Sequence, residues 1–214
     1  MIKKLMTFIF LFAIVPVWAQ PSTPNVTHLN EYGFDLSIAM SGTGLGGFYR
    51  KALPGYFLFG ASANIYMMRD EKEFSYYNPY DPYQPYPVQI NKFNRFFVLP
   101  VSVELKRRLF MDSVDDSFRP YLLTSGGLSF GINFPRKDQI SRLPEEEQYK
   151  YPTDTELGWA LNFAIGFGVD FTTHENYYLT IRPQYRFIYF PDEIALKKNH
   201  SNFEIVFELG KRVF

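Results

Sequence analysis

The stretch from Leu157 to Phe171, with the sequence LGWALNFAIGFGVDF, constrains the fold more than any other part of the chain. Every second residue from Leu157 onward is large and apolar, whereas the residues between them, from Gly158 to Asp170, are small or polar. Because side chains alternate between the two faces of a β-strand, this pattern predicts a strand with one apolar face and one small, polar face. In a soluble sandwich the second face would carry long polar side chains toward water. A nearly bare second face predicts instead a narrow barrel whose apolar side faces lipid.

The first twenty residues predict export. Lys3 and Lys4 precede an apolar run at 5–17, and Ala19 ends a stretch with the small residues of a signal-peptidase site. Read as a transmembrane anchor, the run would be too short to span about 30 Å of hydrocarbon comfortably. The predicted organisation is a cleaved signal peptide at 1–19, a flexible lead-in at 20–33 and a membrane β-barrel at 34–214.

Composition excludes some functions. The chain has 22 basic and 22 acidic residues, which argues against a nucleic-acid partner, because a phosphate-binding surface needs an excess of Lys and Arg. It has no cysteine, so neither a lipid-bearing cysteine nor a disulfide is available. An exported chain of this kind needs another source of stability, and a closed hydrogen-bonded barrel would supply it.

The same alternation recurs along the chain and predicts strands separated by short and long connections. The predicted strands are 34–41, 45–53, 56–69, 93–110, 119–133, 157–171, 177–190 and 202–213. Gly42-Thr43-Gly44 and Pro54-Gly55 predict tight turns. Three longer segments, at about 70–91, 134–156 and 191–201, are predicted loops. If 34–53 formed one strand, the count would be odd and the two chain ends would lie on opposite sides of the barrel, so we prefer two strands there.

Charged residues fall on the inward-facing side of several predicted strands. They are Asp35, Glu104, Lys106, Arg108, Asp170, Arg182, Arg186, Glu204 and Glu208. An eight-stranded barrel is only wide enough to be filled by its own side chains, and unpaired charge in a dry interior is unfavourable. We therefore expect these groups to pair in a structural network that plugs the barrel. A narrow ion or solute pathway along the same groups is the alternative.

The closing segment NFEIVFELGKRVF ends in Phe214. Together with the signal peptide, the small inner face and the aromatic outer face, it resembles the small outer-membrane β-barrel proteins of Gram-negative bacteria, the OmpA-like, OmpX-like and OmpW-like group within the porin-like superfamily. The resemblance covers the whole mature chain. It implies an all-β, eight-stranded antiparallel up-and-down transmembrane barrel in the bacterial outer membrane, with short periplasmic turns and long extracellular loops. It also implies outer-membrane lipids and the barrel assembly machinery as partners. One departure is that Phe214 lies in phase with Glu204 and Glu208 rather than with the apolar face.

No catalytic or metal-binding motif is evident in the sequence. His28, His174 and His200 lie in the lead-in, a turn and a loop, without metal-ligand spacing, so we expect no metal, no cofactor and no enzymatic activity. A lipid-modifying enzyme at the barrel rim would need a histidine with a serine or acidic partner. His200 beside Ser201, with Asp192 in the same loop, is the candidate, but neighbouring residues on a strand point to opposite faces.

The loop at 70–91 is the best candidate for contact with an extracellular ligand or surface partner. Its tyrosines, interspersed with prolines, are Tyr76, Tyr77, Tyr80, Tyr83 and Tyr86. Tyrosine offers rigid, amphipathic contact area, although it is also favoured at the lipid headgroup level. The leading hypothesis is a structural or surface-interaction role carried by the three long loops. The alternatives are a narrow pore for small or apolar solutes, a rim enzyme, and a soluble lipocalin-like barrel with its apolar faces inward.

Overall fold

The computed structural model of the protein is a closed antiparallel β-barrel, described for residues 29–70, 73–76, 88–90, 92–110, 117–174 and 176–213. The strands of this part are β1 (Asn30–Ala39), β2 (Gly42–Leu53), β3 (Phe57–Met68), β4 (Phe74–Tyr76), β5 (Val88–Ile90), β6 (Asn94–Arg108), β7 (Phe118–Pro135), β8 (Glu156–His174), β9 (Tyr177–Ile194), β10 (Lys197–Asn199) and β11 (Asn202–Val213). Two short helices, α1 (Lys137–Ile140) and α2 (Glu145–Gln148), lie between β7 and β8. Within these residues no helix combines the length and hydrophobicity needed to cross a membrane.

Eight of the strands form the barrel wall, in the order β1-β2-β3-β6-β7-β8-β9-β11. The wall closes because β11 pairs with β1, from Asn30 opposite Val213 to Ala39 opposite Glu204, without a shift in register. The predicted fold class, an eight-stranded antiparallel barrel, is therefore confirmed. The side of the barrel where Asn30 and Val213 lie is called the terminal end, and the opposite side the loop end.

The outer wall is apolar. On β8 the outward side chains include Leu157, Trp159 and Leu161, which are 63%, 64% and 71% exposed. The inward side chains Ala160 and Asn162 are buried. The bulky side of every wall strand faces outward in the same way, as a lipid-facing wall requires. A lipocalin-like barrel would have this arrangement reversed, so that alternative is wrong.

The first hairpin differs from the prediction in two places. Strand β1 begins at Asn30, so 30–33 belong to the barrel and not to the flexible lead-in; the polar Glu31 is accommodated because it points inward among cations. The turn is formed by Met40 and Ser41, since Ala39 pairs directly with Gly42, and Gly42-Thr43-Gly44 is part of β2. Glycine is required in this inner face for space, because a side chain at Gly44 would collide with the ring of Tyr66. The predicted turn at Pro54-Gly55 does connect β2 to β3.

The three predicted loops contain more regular structure than their sequences indicated. The segment 191–201 is largely a hairpin, in which β9 continues to Ile194 and pairs with β10. Its turn is formed by Ala195 and Leu196, both with positive φ (49° and 68°). Within 70–91, which was predicted to be a loop, β4 and β5 form a short antiparallel pair. The segment 134–156 contains α1 and α2, and its ends belong to β7 and β8.

Several predictions lie outside the described residues. They are the signal peptide at 1–19, most of the lead-in, His28, the phase of Phe214, and Tyr77, Tyr80, Tyr83 and Tyr86. Tyr76 is the last residue of β4, and His174 is the last residue of β8.

Candidate functional site at the loop end of the barrel

Among the described residues, twelve buried charged side chains fill the barrel from its terminal end to its middle. We call them the interior charge network. The acidic members are Glu31, Asp35, Glu104, Asp170, Glu204 and Glu208, and the basic members are Arg50, Lys106, Arg108, Arg182, Arg186 and Arg212. Six carboxylates thus face six cations, so the network is neutral overall. All nine residues predicted from the sequence to line the interior are among them.

At the terminal end the network is organised around Glu31. Its carboxylate accepts hydrogen bonds from the Lys106 ammonium at 3.0 Å and the Arg108 guanidinium at 2.6 Å. The hydroxyl of Tyr178 donates to the same carboxylate at 3.1 Å. Lys106 also donates to Asp170 at 2.8 Å, which ties β1, β6, β8 and β9 together across the interior.

In the middle of the barrel the network is organised around Arg50. Its guanidinium donates to Glu104 at 2.7 Å and, through two nitrogens, to Glu208 at 2.7 and 2.9 Å. Arg182 donates to Glu208 from the other side, and the amide of Asn64 donates to Asp35. These contacts span strands far apart in sequence, so the network is formed only when the barrel is closed.

Sequence reasoning missed three members, namely Glu31, Arg50 and Arg212. Glu31 lies in phase with Asp35 but outside the predicted strand 34–41, so extending the alternation past that strand would have found it. Arg50 and Arg212 lie within the predicted strands 45–53 and 202–213, and following the alternation through those strands would have found them.

Above the network, toward the loop end, lies an apolar layer that we call the apolar seal. Its members are Tyr66, Met68, Phe96, Val98, Ala160, Ile188, Phe190 and Ile194. Phe96 and Phe190 pack with ring centroids 5.9 Å apart across the interior. The seal separates the charged interior from the loop end.

A cavity of about 310 Å³ lies on the loop-end side of the seal, and we call it the loop-end cavity. Its lining includes Ser41, Met68, Arg69, Asp70, Phe93, Asn94, Phe96, Tyr151, Ala195, Leu196, Lys197, Asn199, His200 and Ser201. The cavity is thus built where the β1–β2 turn, the β7–β8 connection and the β9–β10 hairpin meet. It combines aromatic rings with amides, hydroxyls and charges of both signs, so hydrogen-bonding groups lie beside apolar surface, as in ligand pockets generally.

One wall of the cavity is held by Asp70. Its carboxylate accepts hydrogen bonds from the backbone N–H groups of Phe93 and Asn94 at 2.6 and 2.8 Å, and from the Asn94 side chain at 2.7 Å. Tyr151, from the connection after α2, packs on Phe93 with ring centroids 4.6 Å apart. Tyr151 was not identified from the sequence, because nothing in its local pattern shows that it folds back over β6.

His200 forms part of the cavity floor. Its Nε2 lies 3.1 Å from the carbonyl oxygens of both Ile194 and Lys197, and since carbonyls only accept, Nε2 carries the proton. The ring packs against Phe96 at 4.7 Å and Phe190 at 5.5 Å between centroids. Burial in this position lowers the pKa of His200, which keeps the imidazole neutral at neutral pH.

The geometry does not assemble the His200–Ser201 pair as a nucleophile and its base. The Ser201 hydroxyl donates to Asn199 Oδ1 at 2.5 Å and accepts from the backbone N–H of Ile188 at 3.1 Å. The proton-bearing nitrogen of His200 points to main-chain carbonyls instead. The two side chains therefore have separate partners, and both serve to fix the hairpin on the barrel.

No protein-family profile and no curated protein matches this sequence. Solved structures do resemble it in fold. A major outer membrane protein from Thermus thermophilus superposes with a TM-score of 0.54 at 8% identity, over 88% of this chain and 100% of the other. Neisserial surface protein A (NspA) gives 0.48 at 12% identity, over 86% and 95%. The N-terminal β-barrel domain of Pseudomonas aeruginosa OprF gives 0.48 at 11%, over 87% and 98%. The likeness to the Thermus protein shows that this chain has the fold of an outer-membrane β-barrel.

Proposed function

We propose that this protein resides in the outer membrane of a Gram-negative bacterium as a closed, non-conducting barrel whose loop end interacts with molecules at the cell surface. The outward apolar wall supports membrane residence, since closed barrels are the β-structures that satisfy all their backbone groups in lipid. The export signal expected at 1–19 agrees with this location. Both described chain ends then lie on the periplasmic side, and the loop-end cavity opens to the exterior.

The filled interior is the observation that carries the non-conducting part of the proposal. Glu31, Arg50 and Lys106 are completely buried, and each bonds to partners on two or more other strands. The apolar seal lies above them, so ions entering from the loop end would meet hydrocarbon side chains and then paired charges. Moving an ion past such groups requires breaking buried pairs, which is strongly unfavourable.

The surface-interaction part of the proposal rests on the loop-end cavity. The predicted loops at about 70–91, 134–156 and 191–201 each contribute to the loop end, and residues from all three line the cavity, including Asp70, Tyr151 and His200. Asp70 and His200 are held in place by several hydrogen bonds, so this surface is preorganised. The tyrosines 76, 77, 80, 83 and 86 remain proposed additional contacts.

The second candidate is a narrow pore, and single-channel recording in planar bilayers separates the two. For the purified protein we expect no discrete openings, because the network and the seal occupy the lumen. The two single variants Glu104→Gln and Arg182→Gln each remove one charge from the network. They show whether any current passes through the network. Discrete openings in the wild-type protein that disappear in these variants would overturn the non-conducting barrel and support a pore.

The surface role is tested with the barrel embedded in nanodiscs and applied to an array of surface glycans and matrix proteins. We expect specific binding that decreases when Asn199→Trp fills the loop-end cavity. Lys51→Ala, an exposed substitution on β2, is the matched control and should leave binding unchanged. Binding that is indifferent to Asn199→Trp would contradict a role for the cavity.

A further inference from the structure

The barrel wall has an opening between β8 and β9 near the loop end. The ladder between these strands ends where Leu161 pairs with Tyr189. Beyond that point β8 continues to Glu156, paired only with β7, and β9 continues to Ile194, paired with β10 on its other side. The edges at 157–160 and 190–194 therefore face each other without a ladder between them.

The space between these edges is a recess of about 320 Å³ that we call the lateral notch. One side is formed by Leu157, Gly158 and Trp159. The other side is formed by Phe190, Pro191 and Ile194, with Asp192 at the hairpin. Phe190 and Ile194 are also members of the apolar seal and are buried, so they form the closed floor of the notch, while Leu157 and Trp159 form its exposed side.

The notch is part of the architecture of the wall. Pro191 has no N–H and cannot continue a ladder toward β8. The side chain of Ile194 packs against Gly158, where any larger residue would collide with it. The hairpin is instead connected to β8 by a side chain, since the backbone N–H of Ala195 donates to Glu156 Oε2 at 2.9 Å. These features hold the two edges in position without joining them.

The surroundings of the notch indicate what fills it. It opens onto the lipid-facing wall next to Leu161, which is 71% exposed. Trp159 and Tyr189, 64% and 58% exposed, flank it, and both residue types favour the boundary between hydrocarbon and headgroups. Open backbone N–H and C=O groups at that depth are unfavourable unless a polar group meets them.

We propose that the lateral notch is a binding site for a membrane lipid. The upper methylenes of one acyl chain lie against the exposed side chains of Leu157 and Trp159, and the carbonyl linkage of the chain accepts hydrogen bonds from the open backbone edge. This site is continuous with the lipid interface of the barrel and independent of the surface role proposed for the loop-end cavity. Phospholipids and lipopolysaccharide both carry such linked acyl chains.

The test uses the full barrel in nanodiscs of phosphatidylethanolamine and phosphatidylglycerol, doped with a phospholipid carrying a photoreactive group near the carboxyl end of one acyl chain. Labelled positions are mapped by mass spectrometry. Leu157, which lines the notch, and Leu45, on the outer wall of β2 away from it, are both outward and 63% exposed. We expect more labelling at Leu157 than at Leu45, because the carbonyl linkage is held at the notch.

Two variants close the notch. The chain has no cysteine, so Trp159→Cys/Pro191→Cys introduces a single disulfide across the open edges, continuing the register of Leu161 and Tyr189. After oxidation, labelling of Leu157 should fall to the level of Leu45 and return on reduction. Leu161→Cys/Tyr189→Cys, where the strands are already paired, is the matched control and should leave labelling unchanged.

A second variant tests the same site if the disulfide does not form. Pro191→Trp fills the notch from its exposed edge and should reduce labelling in the same way, whereas Lys198→Trp, an exposed position on β10 at the other side of β9, should not. The same variants in nanodiscs doped with photoreactive lipopolysaccharide show which lipid is preferred. Labelling at Leu157 no greater than at Leu45, or an excess at Leu157 that survives both Pro191→Trp and the closed disulfide, would overturn the proposal.

Discussion

At the scale of single residues, Arg50 shows how the interior determines stability. Its guanidinium is fully buried, packs 3.9 Å from the centroid of the Phe48 ring, and bonds to both Glu104 and Glu208. A buried ion pair contributes little compared with a well-packed apolar replacement, but removing one partner leaves a buried charge uncompensated. The interior charge network is neutral overall, so any single charge deletion creates such an excess.

We therefore expect Arg50→Met to lower the free energy of unfolding by about 3–5 kcal/mol. The double variant Arg50→Met/Glu104→Gln restores neutrality and should recover part of that loss. Lys51→Ala, at the next and exposed position of β2, is the matched control and should change stability by less than about 0.5 kcal/mol. Urea unfolding in lipid vesicles, followed by tryptophan fluorescence, measures all three. Equal effects of Arg50→Met and Lys51→Ala would contradict a paired interior.

At the scale of elements, the β9–β10 hairpin contains an unfavourable turn at the loop end. Ala195 and Leu196 both adopt positive φ, the conformation that a two-residue hairpin requires and that Asn-Gly adopts most readily. For residues with a Cβ this region costs roughly 1–2 kcal/mol each. The hairpin persists because Glu156, His200 and Ser201 connect it to the barrel.

Replacing this turn by the sequence that it favours should stabilise the hairpin. We expect Ala195→Asn/Leu196→Gly to increase the protection of the hairpin amides from hydrogen exchange, by about 1–2 kcal/mol of local opening free energy. The bond from residue 195 to Glu156 uses the backbone N–H and is retained in this variant. Lys198→Gly, a glycine at an ordinary strand position, should instead reduce protection by about 0.5–1 kcal/mol. Reduced protection in the Asn-Gly variant would argue against the positive φ values.

The elements also show which parts of the structure the sequence can predict. A strand with lipid on one side and a packed interior on the other must alternate, which is why the wall at 157–171 was readable residue by residue. Beyond Phe190 the alternation stops, because Pro191, Asp192 and Glu193 are all exposed, although β9 continues to Ile194. The turn at Ala195-Leu196 lacks the glycine that marks such turns. The lateral notch depends on pairing between two strands, and neither strand's own pattern contains that information.

The candidate site was partly predictable for the same reason. The inward charged residues could be predicted from the alternation along each strand alone. The loop-end cavity depends on contacts between segments far apart in sequence. Tyr151 contacts Phe93, and His200 contacts Phe96. The composition of the connections that contain Tyr151 and His200 does not predict either contact. Of the tyrosines predicted to make surface contacts, Tyr76 is in β4 and the others lie outside the described residues.

At the scale of the whole molecule, the barrel depends on one seam, where the last strand meets the first. Ten residue pairs join β1 to β11, among them Phe34 opposite Leu209, both of which point outward. Every interior contact between Glu31 and the distant strands presupposes that this seam is closed. In an open sheet the distance between β1 and β11 would not be fixed.

A cysteine pair across the seam tests closure directly, since the natural chain has none. Phe34→Cys/Leu209→Cys places the two thiols on adjacent, paired residues, and we expect a disulfide to form on folding in lipid. Phe34→Cys/Ile205→Cys is the off-register control: its partner is displaced by four residues, roughly 13 Å along the strand, beyond the ~7 Å limit for a disulfide. On non-reducing gels the first variant should remain compact after boiling and the control should not. Equal cross-linking of both pairs would mean that β1 and β11 are not held in this register, and the closed barrel itself would be contradicted.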